Sequence, residues 1–260
     1  MKIKLTLPFI FLFLCAVTSS AQEIRQTYLG LETGITFFES DLSNTDYIRK
    51  DMSTYSTDYS SSNITSSMYK SFIGIKPEIF TLNKKVGLLA GIHYSRVNSS
   101  VGKNDYWSDN VDYFYLRIRQ DGINTEYLRV KKIKQMSDYI GIPIEVRYFP
   151  FRPRLFRLYF KLGAEINYLL QSQTDVTFYD DAMNPFQKDV KELMGDPKSF
   201  SSSIYGSAGF RLGKESKPSV SFEVCLPSIF LTSKSSGLVN PLWGAGFQLN
   251  VQIPLNTKVH

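Results

Sequence analysis

The sequence predicts an all-β protein: a transmembrane, antiparallel up-and-down β-barrel of eight strands with long extracellular loops. Three observations carry that prediction. Apolar residues recur at every second position in eight separate segments, which is the period of a strand. The connections between segments alternate between short and long, as in outer-membrane barrels, whose turns are tight at one end and whose loops are long at the other. The segments also exceed the five or six residues common in soluble sheets and reach the roughly 9–11 residues that cross a bilayer at a tilt.

The chain starts with an export pattern. Lys2 and Lys4 precede an apolar run from Leu5 to Val17, and Ser19-Ser20-Ala21 places small residues before a cleavage point at Gln22. Residues 1–21 are therefore expected to be a cleaved signal peptide and 22–260 one barrel domain. The apolar run is shorter than the roughly 20 residues of a membrane helix. Leu14 stands before Cys15 where a lipoprotein signal has a small residue, so no lipid anchor is expected. Of the two cysteines only Cys225 would remain, which leaves no intrachain disulfide. The net charge of +6 falls by two when Lys2 and Lys4 leave, a balance too mild to imply nucleic acid.

The eight segments follow in order. The first sets Leu29, Leu31, Ile35 and Phe37 against Tyr28, Gly30, Glu32, Gly34 and Thr36. The second sets Tyr69, Ile73, Ile75 and Ile79 against Lys70, Gly74, Lys76 and Glu78. The third opposes Val86, Leu88, Ala90, Ile92 and Tyr94 to Gly87, Gly91, His93 and Ser95, and the fourth opposes Ile140, Ile142, Ile144, Val146 and Tyr148 to Gly141, Glu145 and Arg147. In the fifth, every second residue from Leu158 to Leu170 is apolar, alternating with Arg157, Tyr159, Lys161, Gly163, Glu165 and Asn167. The sixth has Ile204, Ala208, Phe210 and Leu212 against Tyr205, Ser207, Gly209 and Arg211. The seventh has Val220, Phe222, Val224 and Leu226 against Ser219, Ser221, Glu223 and Cys225. The eighth runs from Trp243 to Ile253 against Gly244, Gly246, Gln248, Asn250 and Gln252.

Alternation alone fits a soluble sandwich with apolar faces inward as well as a membrane barrel with apolar faces outward. The connections decide for the barrel. Links after the second, fourth and sixth segments are short, while those near residues 39–66, 99–125, 172–200 and 232–240 are long, a regularity that a Greek-key sandwich has no reason to obey. Tyr28, Phe37, Tyr69, Tyr94, Tyr148, Tyr168 and Trp243 lie near segment ends and are expected to form an interfacial girdle. Residues 111–120 and 125–135 read as a hairpin around Asp121-Gly122, extending the third and fourth strands above the outer leaflet.

Three stretches, Ala90-Gly91-Ile92-His93-Tyr94-Ser95, the run from Tyr139 to Tyr148 (YIGIPIEVRY) and Phe160-Lys161-Leu162-Gly163-Ala164-Glu165, give the chain a resemblance to the PorT-like, "outer membrane protein β-barrel domain" family of Bacteroidetes. The resemblance spans essentially the whole mature chain. It implies an outer-membrane barrel, with one member type serving type IX secretion and gliding, and it carries over no catalytic residue.

The polar faces collect Glu32, Glu78, Glu145, Glu165 and Glu223 with Lys70, Lys76, Arg147, Arg157, Lys161 and Arg211. An eight-stranded barrel is only wide enough inside for side chains, so these charges are expected to pair and plug the lumen; a narrow ion path is the alternative. Ile92-His93-Tyr94-Ser95 resembles locally the His-x-Ser of outer-membrane lipid A deacylases. Arg96 stands where that motif has asparagine, and Asp105 and Asp109 are the candidate orienting acids. With His93 and His260 the only histidines, no metal or cofactor site is expected. Arg117, Arg119, Arg129, Lys131, Lys132 and Lys134 cluster on the outer hairpin at the height of lipopolysaccharide phosphates. The expected protein is a monomeric, non-enzymatic outer-membrane barrel acting through its loops on lipid, lipopolysaccharide or other envelope proteins, with a secretion-apparatus accessory, a narrow pore or a lipid A hydrolase as alternatives.

Overall fold

The computed structural model describes residues 27–43, 46–48, 64–81, 85–103, 113–121, 124–151, 155–214, 217–232 and 236–255. The expected signal segment, Asp105, Asp109, Gly122 and His260 lie outside them. The described chain forms β1 (Thr27–Leu42), β2 (Ile64–Phe80), β3 (Val86–Ala90), β4 (Ile92–Lys103), β5 (Phe114–Asp121), β6 (Asn124–Tyr148), β7 (Phe156–Phe178), β8 (Phe200–Leu212), β9 (Ser219–Phe230) and β10 (Val239–Pro254). A 3-10 turn (Asp181–Phe186) and a short helix, α1 (Gln187–Met194), separate β7 from β8.

These ten strands make eight staves. β3 and β4 are one stave interrupted at Gly91, since both pair with β2 and β6 in one unbroken register. Opposite Gly91 stands Pro143, which has no amide hydrogen to give the ladder, although Gly91 N still donates to Pro143 O at 3.3 Å. β5 pairs only with β6, as the outer strand of the projecting hairpin. Each remaining strand pairs antiparallel with its sequence neighbour, and β1 pairs with both β2 and β10, which closes the barrel. Closure removes the sheet edges, a requirement for strands surrounded by lipid. Leu255 N donates to Thr27 O at 2.9 Å, so both ends of the barrel sequence lie at the short-turn end.

Over the lower two thirds of the wall the apolar faces point outward. Ile73, Ile142, Leu162, Ile166 and Phe247 are all more than half exposed, while the polar residues between them are buried. Phe37, Tyr69, Tyr94, Tyr148, Tyr168 and Trp243 also face outward near the ends of this band. Tyr28 is a correction to the girdle: it is fully buried inside the barrel, because its position in β1 has the parity of Gly30 and Glu32 rather than that of Leu29 and Leu31.

The staves run further than the alternating sequence suggested, so the long links are shorter than expected. β1 continues to Leu42, β7 to Phe178, and β6 spans 25 residues from the hairpin to the opposite rim. Above the girdle the two faces exchange character. Outward positions become polar: the Arg96 guanidinium grips both carboxylate oxygens of Asp138 (2.7 and 3.1 Å), and Gln171 donates to the same group. Arg96 holds Asp138 down to about 2, so this clamp stays ionised throughout the physiological range. Inward positions become apolar: Val97, Phe114, Leu116, Leu128 and Ile133 pack with Val190 of α1 into a hydrophobic core that fills the mouth.

Candidate functional site

Seen from the long-loop end, the barrel interior is a hydrophobic cap, a charged layer and an aromatic floor. The charged layer is built by inward-facing residues of β1, β2, β4, β6, β7, β8 and β9, each placed there by strand parity. Its members form one continuous series in which bases and acids alternate. Lys70 Nζ lies 2.5 Å from Glu165, and Glu165 lies 3.4 Å from His93 Nδ1. His93 Nε2 contacts Glu32, which lies 2.6 Å from Lys76 Nζ. Lys76 reaches Glu145 at 2.7 Å, Glu145 reaches Lys161 at 3.2 Å, and Lys161 reaches Glu223 at 2.5 Å. Arg147 then bridges Glu223 (2.8 Å) and Glu78 (2.9 Å), and Glu78 ends the series on Arg211.

Every glutamate in the series touches two bases, and every base except those at the two ends touches two glutamates. That arrangement offsets the large cost of removing ions from water, a cost that a single missing partner would expose. Neutral groups take up the remaining lone pairs: Tyr205 donates to Glu145 at 2.6 Å, Tyr159 to Glu223 at 2.8 Å and Gln252 to Glu78 at 3.2 Å, while Gln248 donates to Glu32. Space for these long side chains comes from inward glycines. A Cβ on Gly74 would collide with the His93 ring, and one on Gly209 would lie 2.9 Å from the Glu223 side chain.

Below this layer, Tyr28, Phe80, Phe149 and Tyr159 close the short-turn end, with ring centroids 5.2–5.7 Å apart along the row. The Arg211 guanidinium lies 5.1 Å from the Phe149 centroid and 5.5 Å from those of Tyr28 and Phe80. Arg157, also buried in the lumen, lies 5.4 Å from Phe149, and Arg147 lies 4.5 Å from Tyr159. Attraction to the ring faces offsets part of the cost of burying these guanidinium groups away from water. The free space between the charged layer and the cap, bounded by Lys70, His93, Glu165, Tyr205 and Gln248, is about 30 Å³, on the order of a single water molecule.

The structure thus buries all eleven lumen charges expected from sequence inside the barrel, and adds His93 as the link between Glu32 and Glu165. The His93–Ser95 pairing is absent. Both residues are buried in the lumen, both His93 nitrogens face carboxylates, and Ser95 Oγ makes no hydrogen bond among the described residues. Among the described residues no cluster of histidine, cysteine and acids could hold a metal ion.

The six basic residues assigned to the outer hairpin divide between two places. Arg117, Arg119 and Arg129 lie on the β5–β6 ribbon, whereas Lys132 and Lys134 pair across to β4 and β7 and so belong to the barrel wall above the girdle, with Lys131 at the irregularity that joins the two. The correction follows from the length of β6, a single strand that serves first as hairpin and then as stave. The Arg129 guanidinium lies 4.8 Å from the Tyr179 ring and 5.6 Å from the Tyr113 ring, which are themselves 4.6 Å apart, and Lys131 lies 5.2 Å from the Tyr179 ring. Arg117 donates to the Asp46 carbonyl at 3.1 Å, tying the first outer loop to the ribbon.

No protein-family model matches the chain, and no curated protein sequence matches it. Among solved structures it is similar to the outer membrane protein OprG from Pseudomonas aeruginosa, at 12% identity over 88% of this chain and 93% of that one, with a TM-score of 0.39. It is also similar to Ail, the attachment invasion locus protein of Yersinia pestis, solved with the heparin analogue sucrose octasulfate (9% identity, 88% and 99% coverage, TM-score 0.34). A third similarity is to the translocator domain of the autotransporter NalP from Neisseria meningitidis (6% identity, 95% and 94% coverage, TM-score 0.33).

Proposed function

We propose that this chain is an exported outer-membrane barrel whose interior is a structural plug and whose work is done on its outer surface. The alternating ion-pair series carries this reading. A conducting lumen needs water between its charges, and here each carboxylate already lies against two basic side chains, with an aromatic floor below and an apolar core above. Purified protein in planar bilayers should show no single-channel conductance at neutral pH. Steps of current whose size changes on Lys161→Gln or Glu165→Gln would overturn the plug and restore the pore.

The outward basic residues give the surface its chemistry. Arg119, Arg129, Lys131, Lys132 and Lys134 face away from the barrel above the girdle, at the level where lipid headgroups end, and Arg129 and Lys131 are held by tyrosine rings. Anionic glycolipid phosphates are the partner this wall suits. Replacing these five and Arg117 by Gln should weaken binding of lipopolysaccharide to the reconstituted barrel by about tenfold or more, since each cation near an anionic surface contributes on the order of 1 kcal/mol. Unchanged binding in the sixfold variant would remove this role. The likeness to PorT-like barrels rests on wall strands β4, β6 and β7, which supports barrel architecture and assigns no task.

A further inference from the structure

The cap above the girdle is not solid. A cavity of about 310 Å³ lies inside it, bounded among the described residues by Ile48, Leu116, Ile133, Leu193 and Leu238, with Asp196 as the one charged lining residue. We infer that this cavity is a binding site for a small, uncharged molecule of about fused-ring size that presents an apolar face and one hydrogen-bonding group.

Protein interiors keep few voids larger than a water molecule, and side chains beside this one are tightly packed: Leu116 and Ile133 are 1% exposed and Leu238 3%. The space persists because its walls are pinned independently. Tyr47 and Ile48 are fixed to β5 by the Arg117 N to Tyr47 O bond (2.7 Å) and the Ile48–Leu116 bridge. The Gln135 side chain reaches up from the barrel, donating to Gly195 O at 3.3 Å and accepting from Gly237 N at 2.8 Å. That single amide anchors both the end of α1 and the segment leading into β10. On the far side, Ser43 bonds Leu238 O through its amide (3.0 Å) and Gly237 O through its hydroxyl (2.6 Å). Three segments distant in sequence are thereby held apart around this space, and collapse onto it would break these bonds.

Size and lining select the ligand. An apolar cavity of about 150 Å³ admits benzene, and this one is about twice as large. Its walls present polar and apolar surface in about equal measure, aliphatic side chains standing beside Ser43, Gly195, Gly237 and Asp196. The Asp196 carboxylate repels anions, so a neutral molecule with one polar group fits and a carboxylate of the same shape does not. The site lies above the membrane and is separate from the charged lumen, so occupancy leaves the plug intact.

The test uses the full chain in lipid nanodiscs with labelled Ile, Leu and Val methyls, titrated with indole as a neutral fused-ring probe. Saturable shifts are expected at Ile48, Leu116, Leu193 and Leu238, with no saturable shift at lipid-facing Ile142 and Leu162. Indole-3-acetate should bind about tenfold or more weaker, because its carboxylate would lose water and meet the carboxylate of Asp196. Val101→Trp, from the barrel wall, and Leu193→Trp, from α1, should each fill the cavity and abolish saturation. Should Val101→Trp fail to fold, Leu193→Trp decides, since α1 lies outside the barrel wall. Shifts that grow linearly everywhere, equal binding of the anion, or saturation that survives in the folded filled variants would overturn the site.

Discussion

Glu223→Gln is expected to destabilise the barrel by about 3–5 kcal/mol, the penalty for leaving a buried ion without its partner. Glu223 is fully buried and receives Arg147 at 2.8 Å, Lys161 at 2.5 Å, Tyr159 at 2.8 Å and Ser207 at 3.0 Å. The amide keeps the shape and removes the charge, so Arg147 and Lys161 each lose one of two carboxylate partners where no water replaces it. Urea-induced unfolding in lipid vesicles, followed by the mobility difference between heated and unheated protein, measures the loss. Adding Lys161→Met to Glu223→Gln should recover part of it, because it removes the excess buried positive charge that the first change leaves, although Glu145 then keeps only Lys76. Lys188→Gln, which breaks an exposed pair with Glu192 on α1, should change nothing measurable. If Glu223→Gln behaves like Lys188→Gln, the lumen is wet, its charges are screened, and the argument against a pore falls with the plug.

Strand parity made the charged layer legible in the sequence. Glu32, Lys76, Glu145, Lys161 and Glu223 stand on different strands, yet each alternates with residues that must face lipid, so all had to share the interior. Parity fixes the side on which a residue points and leaves its partner open, since pairing depends on barrel stagger. For that reason the order of the series, and the place of His93 within it, came only from the structure. The same parity would have placed Tyr28, Phe80, Phe149 and Tyr159 inside, but an aromatic residue near a strand end reads equally well as girdle. The cap was hidden for a different reason. Along β4, inward positions change from His93 and Ser95 to Val97 and Val101, while outward ones change from Ile92 and Tyr94 to Arg96 and Asn98. A strand that leaves lipid for water exchanges its two faces, and period-two reading with one fixed apolar side ends there. Helix α1 is too short to announce itself by a 3.6-residue period, and its one fully buried residue, Val190, gains its role only by landing on the mouth of the barrel.

The outward orientation of the apolar faces makes a second large prediction. Leu162 is 72% exposed on β7, with Val146 opposite on β6 and Gly206 opposite on β8, and it stands midway between the outward Phe156 and Tyr168. In a bilayer that position is near the midplane, where an arginine on the lipid face of a barrel costs about 2–4 kcal/mol. On a soluble surface the same change would fall within about 0.5 kcal/mol of neutral. Leu162→Arg should therefore lower the unfolding free energy in vesicles by the larger amount. Met136→Arg, on an outward position above the girdle between Asn98 and Gln173, should leave it nearly unchanged. The pair is informative because both variants add the same side chain to the outer face of the same sheet and differ only in height. A cost confined to Leu162 maps the hydrocarbon onto the lower wall and leaves β5, α1 and the upper ends of β4, β6 and β7 in water. Equal costs would mean that the exchange of faces at the girdle does not mark the edge of a membrane, and the apolar exterior would then need a protein partner to cover it.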